Sequence, residues 1–241
     1  MPDHAGEAKL VSTRISTVRR VIENLKSPGD NLSQRVISGG FWVFLLRIVQ
    51  QLFSLGRLFI LARILSPTDF GLMGVALLTM ATLETFSQTG FQTALIQKRE
   101  GIESYLDSAW TFLIIRGFAL FAILYMIAPY AAAFFGTPEA EPIIQVIGVS
   151  VLLQAFTNIG VLFFQKELEF NKQFLYQFAG TLADFIVAVS AVLILQNVWA
   201  LVFGLIAGNV VRCVASYVVH PYRPHIALDI AKVKDLFGFG K

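Results

Sequence analysis

The sequence contains one cysteine, Cys213, and three histidines, His4, His220 and His225. A lone thiol cannot close an intrachain disulfide, and scattered histidines offer no metal-ligand spacing, so neither a metal site nor a redox cofactor is expected. Catalytic signatures are missing as well: there is no glycine-rich phosphate loop followed by lysine, no HExxH pair, no nucleophile elbow and no loop cluster of aspartates to hold Mg²⁺. An enzyme is therefore not expected. Charge is also scarce, with Asp, Glu, Lys and Arg making up 15% of the 241 residues, against about 25% in soluble domains. The net charge of +3 is spread over short hydrophilic segments with no basic patch interleaved with aromatics, which excludes nucleic acid as a partner.

What is abundant is apolar sequence. Hydrophobic residues reach 56% and the mean hydropathy is +0.67, more apolar surface than a soluble globule can bury. These residues fall into six runs: Ser38 to Leu65, Phe70 to Phe91, Ser108 to Pro129, Pro142 to Phe164, Phe174 to Leu195 and Val198 to Val219. Each is long enough to cross a hydrocarbon core of about 30 Å as a helix rising 1.5 Å per residue. A β-barrel would instead show many alternating segments of about 10 residues. The expected fold is all-α, a polytopic transmembrane bundle of about six spans.

Three regions follow: a basic arm over residues 1–37, a membrane lobe over 38–219 and a polar connection over 220–241. In the arm, Val11, Ile15, Val18, Ile22 and Leu25 recur at helical spacing among Lys9, Arg14, Arg19, Arg20 and Lys26. That pattern suits a helix lying on the membrane surface, with a polar arm as the alternative because Ser27-Pro28-Gly29-Asp30 interrupts it. No short apolar core with a small-residue cleavage site is seen ahead of the first run, so a cleaved secretory signal is not expected. Lys98 and Arg99, Lys166 and Lys172, and Arg223, Lys232, Lys234 and Lys241 flank the spans on the side of the arm. The opposite connections are poor in basic residues, so both termini are expected in the cytoplasm.

Apart from Arg63 beside the turn that ends the first run, six charged residues lie inside the runs: Arg47, Arg57, Glu84, Arg116, Asp184 and Arg212. Facing lipid at mid-bilayer, each would cost about 2.5 kcal/mol or more, so they are expected to face the bundle interior or water. Counted inward from the cytoplasmic ends, all but Arg57 fall at about 10–15 Å depth. Arg47, Gln50, Gln51, Ser54 and Arg57 share one helical face, since steps of three, four and seven residues return to the same side. Glu84 is at the right depth to pair with Arg47 or Arg116. Internal ion pairing alone does not call for four arginines against two acids. The excess suits an anion such as a lipid-linked diphosphate, whose oxygens match the guanidinium fork. Arg47, Arg57, Arg116 and Arg212 are the candidate substrate contacts, and Glu84 and Asp184 the candidates for proton coupling or ion pairing. Gly39-Gly40, Gly71, Gly74, Gly204 and Gly208 read as close-packing or bending sites, the last two in a small-xxx-small spacing.

The connections carry a family resemblance. LARILSPTDFGLMG (Leu61 to Gly74), GFQTALIQKRE (Gly90 to Glu100), LDSAWTFLIIRG (Leu106 to Gly117) and NIGVLFFQKELEFNKQF (Asn158 to Phe174) are the strongest segments. APYAAAFFGTPE, WALVFG and SYVVHPYRP, from Ala128, Trp199 and Ser216 onward, follow in order. From about Val36 to Lys241 the chain resembles polysaccharide-type flippases of the multidrug, oligosaccharidyl-lipid and polysaccharide exporter superfamily. The resemblance implies two six-helix lobes around a central cavity, working by alternating access in the bacterial inner membrane. The implied substrate is an undecaprenyl-diphosphate-linked oligosaccharide for exopolysaccharide or O-antigen (lipopolysaccharide) synthesis. One lobe is present here. LFGFGK, Leu236 to Lys241, looks like the opening of a second, echoing VISGGFW at Val36. The second lobe is then lost by truncation, supplied in trans, or replaced by a second copy. A multidrug-type exporter and a non-transporting scaffold of a polysaccharide synthesis complex are the alternatives.

Overall fold

The structure is a computed structural model, and it describes residues 32–87, 103–166, 169–227 and 229. The basic arm up to residue 31, the Lys98-Arg99 connection and the LFGFGK segment lie outside the described residues. Seven α-helices are present among the described residues: α1 (Leu32–Ala62), α2 (Pro67–Phe86), α3 (Glu103–Phe134), α4 (Ala140–Ala155), α5 (Leu162–Lys166), α6 (Phe170–Leu195) and α7 (Trp199–Val219). Five of these, α1, α2, α3, α6 and α7, hold stretches long and apolar enough to cross a membrane. The chain is a multi-pass, all-α membrane protein, as its composition requires.

Helix ends follow local chemistry. Ser66 and Asp69 form a reciprocal capping box at the start of α2, with Pro67 in its first turn, and so satisfy two otherwise orphaned backbone donors. α6 ends on Gln196 in the left-handed region (φ 51°), a C-terminal cap that reverses the chain into α7. Pro129 was expected to close the third span, yet α3 continues through it to Phe134. A proline inside a membrane helix is tolerated because local adjustment and neighbouring helices compensate for its missing N–H.

The fourth expected span, Pro142 to Phe164, is discontinuous. α4 has 16 residues, about 24 Å at 1.5 Å per residue; a 3₁₀ turn (Ile159–Val161) and the short α5 follow. Asn158 makes the break. Its backbone is extended and its side-chain oxygen accepts the Gly160 N–H, an arrangement that competes with helix continuation. The freed groups find partners on α7: Tyr217 donates to the Phe156 carbonyl at 2.7 Å, and the Asn158 N–H donates to Ser216 Oγ at 3.0 Å. Irregular backbone at membrane depth persists only when its polar groups are satisfied in this way.

α1 lies along α6, α6 along α7, α7 also against α4, and α4 against α2 and α3. The main apolar core draws Leu61 and Leu65, Met73 and Ala76, Leu124 and Ala128, Ile143, Ile144 and Ile147, Ala188 and Val192, and Leu201 and Val202. All come from the ends of helices farthest from where α1 begins. The core thus closes the bundle at this distal end, with Leu61 and Ala188 each one turn beyond Arg57 and Asp184. A smaller cluster around Leu106, Ala109, Trp110 and Ile159 sits at the proximal end.

The α6–α7 hairpin is built on glycine. A Cβ on Gly204 would fall 2.6 Å from Ala188 Cβ and 2.8 Å from Asp184 Oδ1, and one on Gly208 would fall 2.9 Å from both Asp184 Cβ and the Gly180 carbonyl oxygen. The small-xxx-small spacing in α7 is a close-packing seam, as its sequence suggested. Gly40, Gly71 and Gly74 differ, with open space where a Cβ would go. Gly208→Leu should therefore lower thermal stability in detergent by about 1–3 kcal/mol or more through overpacking, whereas Gly74→Ala should leave the melting temperature unchanged or slightly raised; equal behaviour of the two variants would contradict the seam.

Candidate functional site

The six intramembrane charges form two groups and one outlier. In the first group, α1 and α6 run parallel at a constant offset, so that Gln50 reaches Gln177 and Arg57 reaches Asp184, each pair 127 positions apart. Arg57 Nη1 donates to Asp184 Oδ2 at 2.7 Å, with side chains only 21% and 19% exposed. Its Nη2 also donates to the Leu201 carbonyl at 3.4 Å. Asp184 sits where the glycine seam lets α6 touch the α7 backbone. From the other side Arg212 packs its aliphatic stem over Gly180, donates to Asn209 Oδ1 at 3.2 Å and acts electrostatically on Asp184. One carboxylate thus faces two guanidinium groups. Among the described residues, Arg57 Nε and Asp184 Oδ1 are buried and have no hydrogen-bond partner.

The depth count had separated Arg57 from Asp184, and the structure brings them together. α6 begins at Phe170, four residues before the apolar run it contains, which places Asp184 nearer the middle of its helix. The polar face of α1 divides accordingly. Gln50 and Arg57, seven residues apart, turn to α6, while Arg47, Gln51 and Ser54 on the flank are exposed.

The second group joins α2 and α3. Arg116 Nη2 donates to Ser87 Oγ at 2.6 Å, and Arg116 acts electrostatically on the half-buried Glu84. Here too a guanidinium nitrogen, Arg116 Nε, is buried without a hydrogen-bond partner among the described residues. Of the two expected partners of Glu84, the structure supplies Arg116. Sequence reasoning missed Ser87, Asn209 and Gly180, because a short polar or small residue in an apolar run gains meaning only from what packs against it.

The polar turns matter as well. At the distal end Asp69 accepts from the Ser66 N–H at 2.9 Å through Oδ2 and from the Val198 N–H at 3.0 Å through Oδ1, fastening the α1–α2 turn to the α6–α7 turn. At the proximal end Asn158 donates to the Tyr222 carbonyl at 2.7 Å, and Tyr222 Oη donates to Asp107. These fastenings use residues of the segments LSPTDFG, NIG, LDSAW and HPYRP.

Because Arg57 and Asp184 are both largely buried, removing one leaves the other uncompensated at a cost of about 3–5 kcal/mol, while replacing both with apolar residues is much milder. Arg57→Leu and Asp184→Leu alone should each sharply reduce the melting temperature and the yield of monodisperse protein, and the double variant should recover most of the loss. Additive losses in that cycle would show that the two side chains do not interact.

Residues 60–241 match the family described as polysaccharide biosynthesis protein. The chain is 29% identical over 185 residues to the succinoglycan biosynthesis transport protein ExoT of Rhizobium meliloti (strain 1021), covering 75% of this chain and 37% of the relative. It is 24% identical to the lipopolysaccharide biosynthesis protein WzxC of Escherichia coli (strain K12), covering 87% and 43%. It is 22% identical to the teichuronic acid biosynthesis protein TuaB of Bacillus subtilis (strain 168), covering 87% and 44%. No solved structure matches it. The chain spans less than half the length of these curated relatives. With the matched family running from the end of α1 through every later helix, the chain belongs to the polysaccharide biosynthesis protein family.

Proposed function

We propose that this chain is the N-terminal lobe of a flippase that moves an undecaprenyl-diphosphate-linked oligosaccharide across the bacterial inner membrane for exopolysaccharide or O-antigen synthesis, by alternating access. The observation that carries the reading is the surplus of guanidinium over carboxylate within the bundle. Arg57 and Arg212 flank the single carboxylate Asp184, and Arg116 has a serine hydroxyl and the charge of Glu84 beside it. Half-buried guanidinium groups in excess of carboxylate call for an anion, and the diphosphate of a lipid carrier supplies one at membrane depth. Relatives named for the transport or biosynthesis of succinoglycan, lipopolysaccharide and teichuronic acid support the same substrate class.

In this reading Arg116 and Arg212 are the principal diphosphate contacts, since each keeps donors beyond those used within the lobe. Arg57 serves mainly to hold Asp184, and exposed Arg47 meets the substrate or the opposing lobe across the cavity. Asp184, held by Arg57 and close to Arg212, acts as an ion-pair centre that an approaching diphosphate can disturb by competing for Arg212. That competition gives substrate arrival a route to the α6–α7 seam. A second lobe, in the same polypeptide or in another chain, completes the cavity, and both termini of this lobe face the cytoplasm.

A multidrug-type exporter of cations is disfavoured by the sign of the charge. A non-transporting scaffold is separated by experiment. In a strain lacking its own copy, Arg116→Gln and Arg212→Gln should each cut polymer export about tenfold or more, the effect of losing one charge-assisted hydrogen bond of about 1.5–3 kcal/mol, with membrane levels of the protein unchanged. Export undiminished by both substitutions, at normal protein levels, would favour the scaffold.

A further inference from the structure

After α7 the chain does not leave the bundle. His220 is extended (φ −110°, ψ 131°), and residues 221–227 and 229 carry no helix or strand. Yet three of their backbone donors are taken in strict alternation by one polar stripe at the start of α3. The His225 N–H donates to Asp107 Oδ1 at 2.9 Å, the Ala227 N–H to Thr111 Oγ1 at 3.1 Å and the Asp229 N–H to Ser108 Oγ at 3.2 Å. Alternate amides of an extended chain point the same way. Asp107, Ser108 and Thr111, at i, i+1 and i+4, share one side of a helix.

The segment is anchored at its start by Tyr222. Its ring packs on the cluster of Leu106, Ala109, Trp110 and Ile159, and its hydroxyl donates to Asp107. Its carbonyl accepts from Asn158 in the break after α4. Burial, together with the hydrogen bond to Asp107 and the charge of that carboxylate, pushes the phenol above its ordinary pKa, so it stays protonated as a donor at any physiological pH. Before it, the His220 ring lies on Gly160, where a Cβ would fall 2.4 Å from Nδ1. The ring also stacks on Phe163 at 6.0 Å and accepts the Tyr222 N–H at 3.1 Å. Beyond Tyr222, Arg223, His225, Ile226, Ala227 and Asp229 are exposed and Pro224 is half-buried, so this stretch is held mainly by directed hydrogen bonds and the Tyr222 anchor rather than by burial.

We infer that residues 220–227 and 229 belong to a strap that fastens the exit of α7 to α3 and to the break after α4, with the Tyr222–Asp107 bond as its lock. Polypeptide that follows Asp229 then begins from a point fixed against α3. A displacement of that polypeptide pulls on α3 and on the Asn158–Gly160 turn together. The inference is independent of the proposed substrate, since it concerns only how this chain holds its own connection.

Hydrogen–deuterium exchange of the whole chain in lipid nanodiscs tests it. In the unaltered protein the amides of His225, Ala227 and Asp229 should be protected. Tyr222→Phe keeps the ring and removes the lock; it should speed their exchange about tenfold or more. The Gly160 amide, which donates to Asn158 Oδ1, should also speed up. The Val198 amide at the distal clasp and the amides within α6 should be unchanged, which verifies folding, and Asp107→Asn serves as a second variant weakening the same lock. Unprotected strap amides in the unaltered protein would overturn the strap. Acceleration confined to residues 225–229, with Gly160 unaffected, would overturn the coupling.

Discussion

Placing Asp184 inside an apolar bundle is the constraint on which much of the structure turns. A carboxylate at that depth is tolerated only beside positive charge and against satisfied backbone. The glycine seam supplies the second condition. Gly204 and Gly208 let α7 approach until Asp184 touches its backbone, and Gly180 lets Arg212 fold across α6. The parallel register of α1 on α6 supplies the first by delivering Arg57 to the same point. Three helices are thus positioned by one anion, and the main apolar core closes directly beyond it through Leu61, Ala188 and Leu201.

Polar turns finish the work at the two ends. Asp69 holds the distal turns together with one oxygen for each. Asp107, Asn158, Ser216 and Tyr222 tie the proximal ends of α3, α4 and α7. Apolar packing inside a bilayer is weakly directional, because lipid competes for the same contacts. Hydrogen bonds between turns therefore specify how the helices are arranged. That explains why the segments by which the chain resembles its family are turns more than spans: a helix face accepts many apolar residues, whereas Asp69 or Asn158 has one geometry to satisfy.

The charged groups fit this division. Arg57 is committed to structure by its partner, whereas Arg116 and Arg212 combine a single hydrogen bond within the lobe with proximity to a carboxylate. The strap and Arg116 share α3, with Asp107 and Thr111 at one end of the helix and Arg116 further along it.

Composition and the length of the apolar runs determined by themselves that this is a helical membrane protein, because nothing else can hide so much apolar surface. They also located most spans to within a few residues and singled out the charges Arg57, Glu84, Arg116, Asp184 and Arg212 within them. The small-xxx-small spacing of Gly204 and Gly208 marked a candidate packing site in advance, though Ala188, Asp184 and Gly180 on α6 supply what packs there. The break at Asn158, the passage of α3 through Pro129 and the pairing of Arg57 with Asp184 rather than at separate depths were decided by tertiary structure. Each depends on a partner more than 50 residues away or on neighbouring helices: Ser216 and Tyr217 for the break, and α6 for the register of α1. Hydropathy reports how far a residue sits from water; only the packed bundle determines which polar groups meet there.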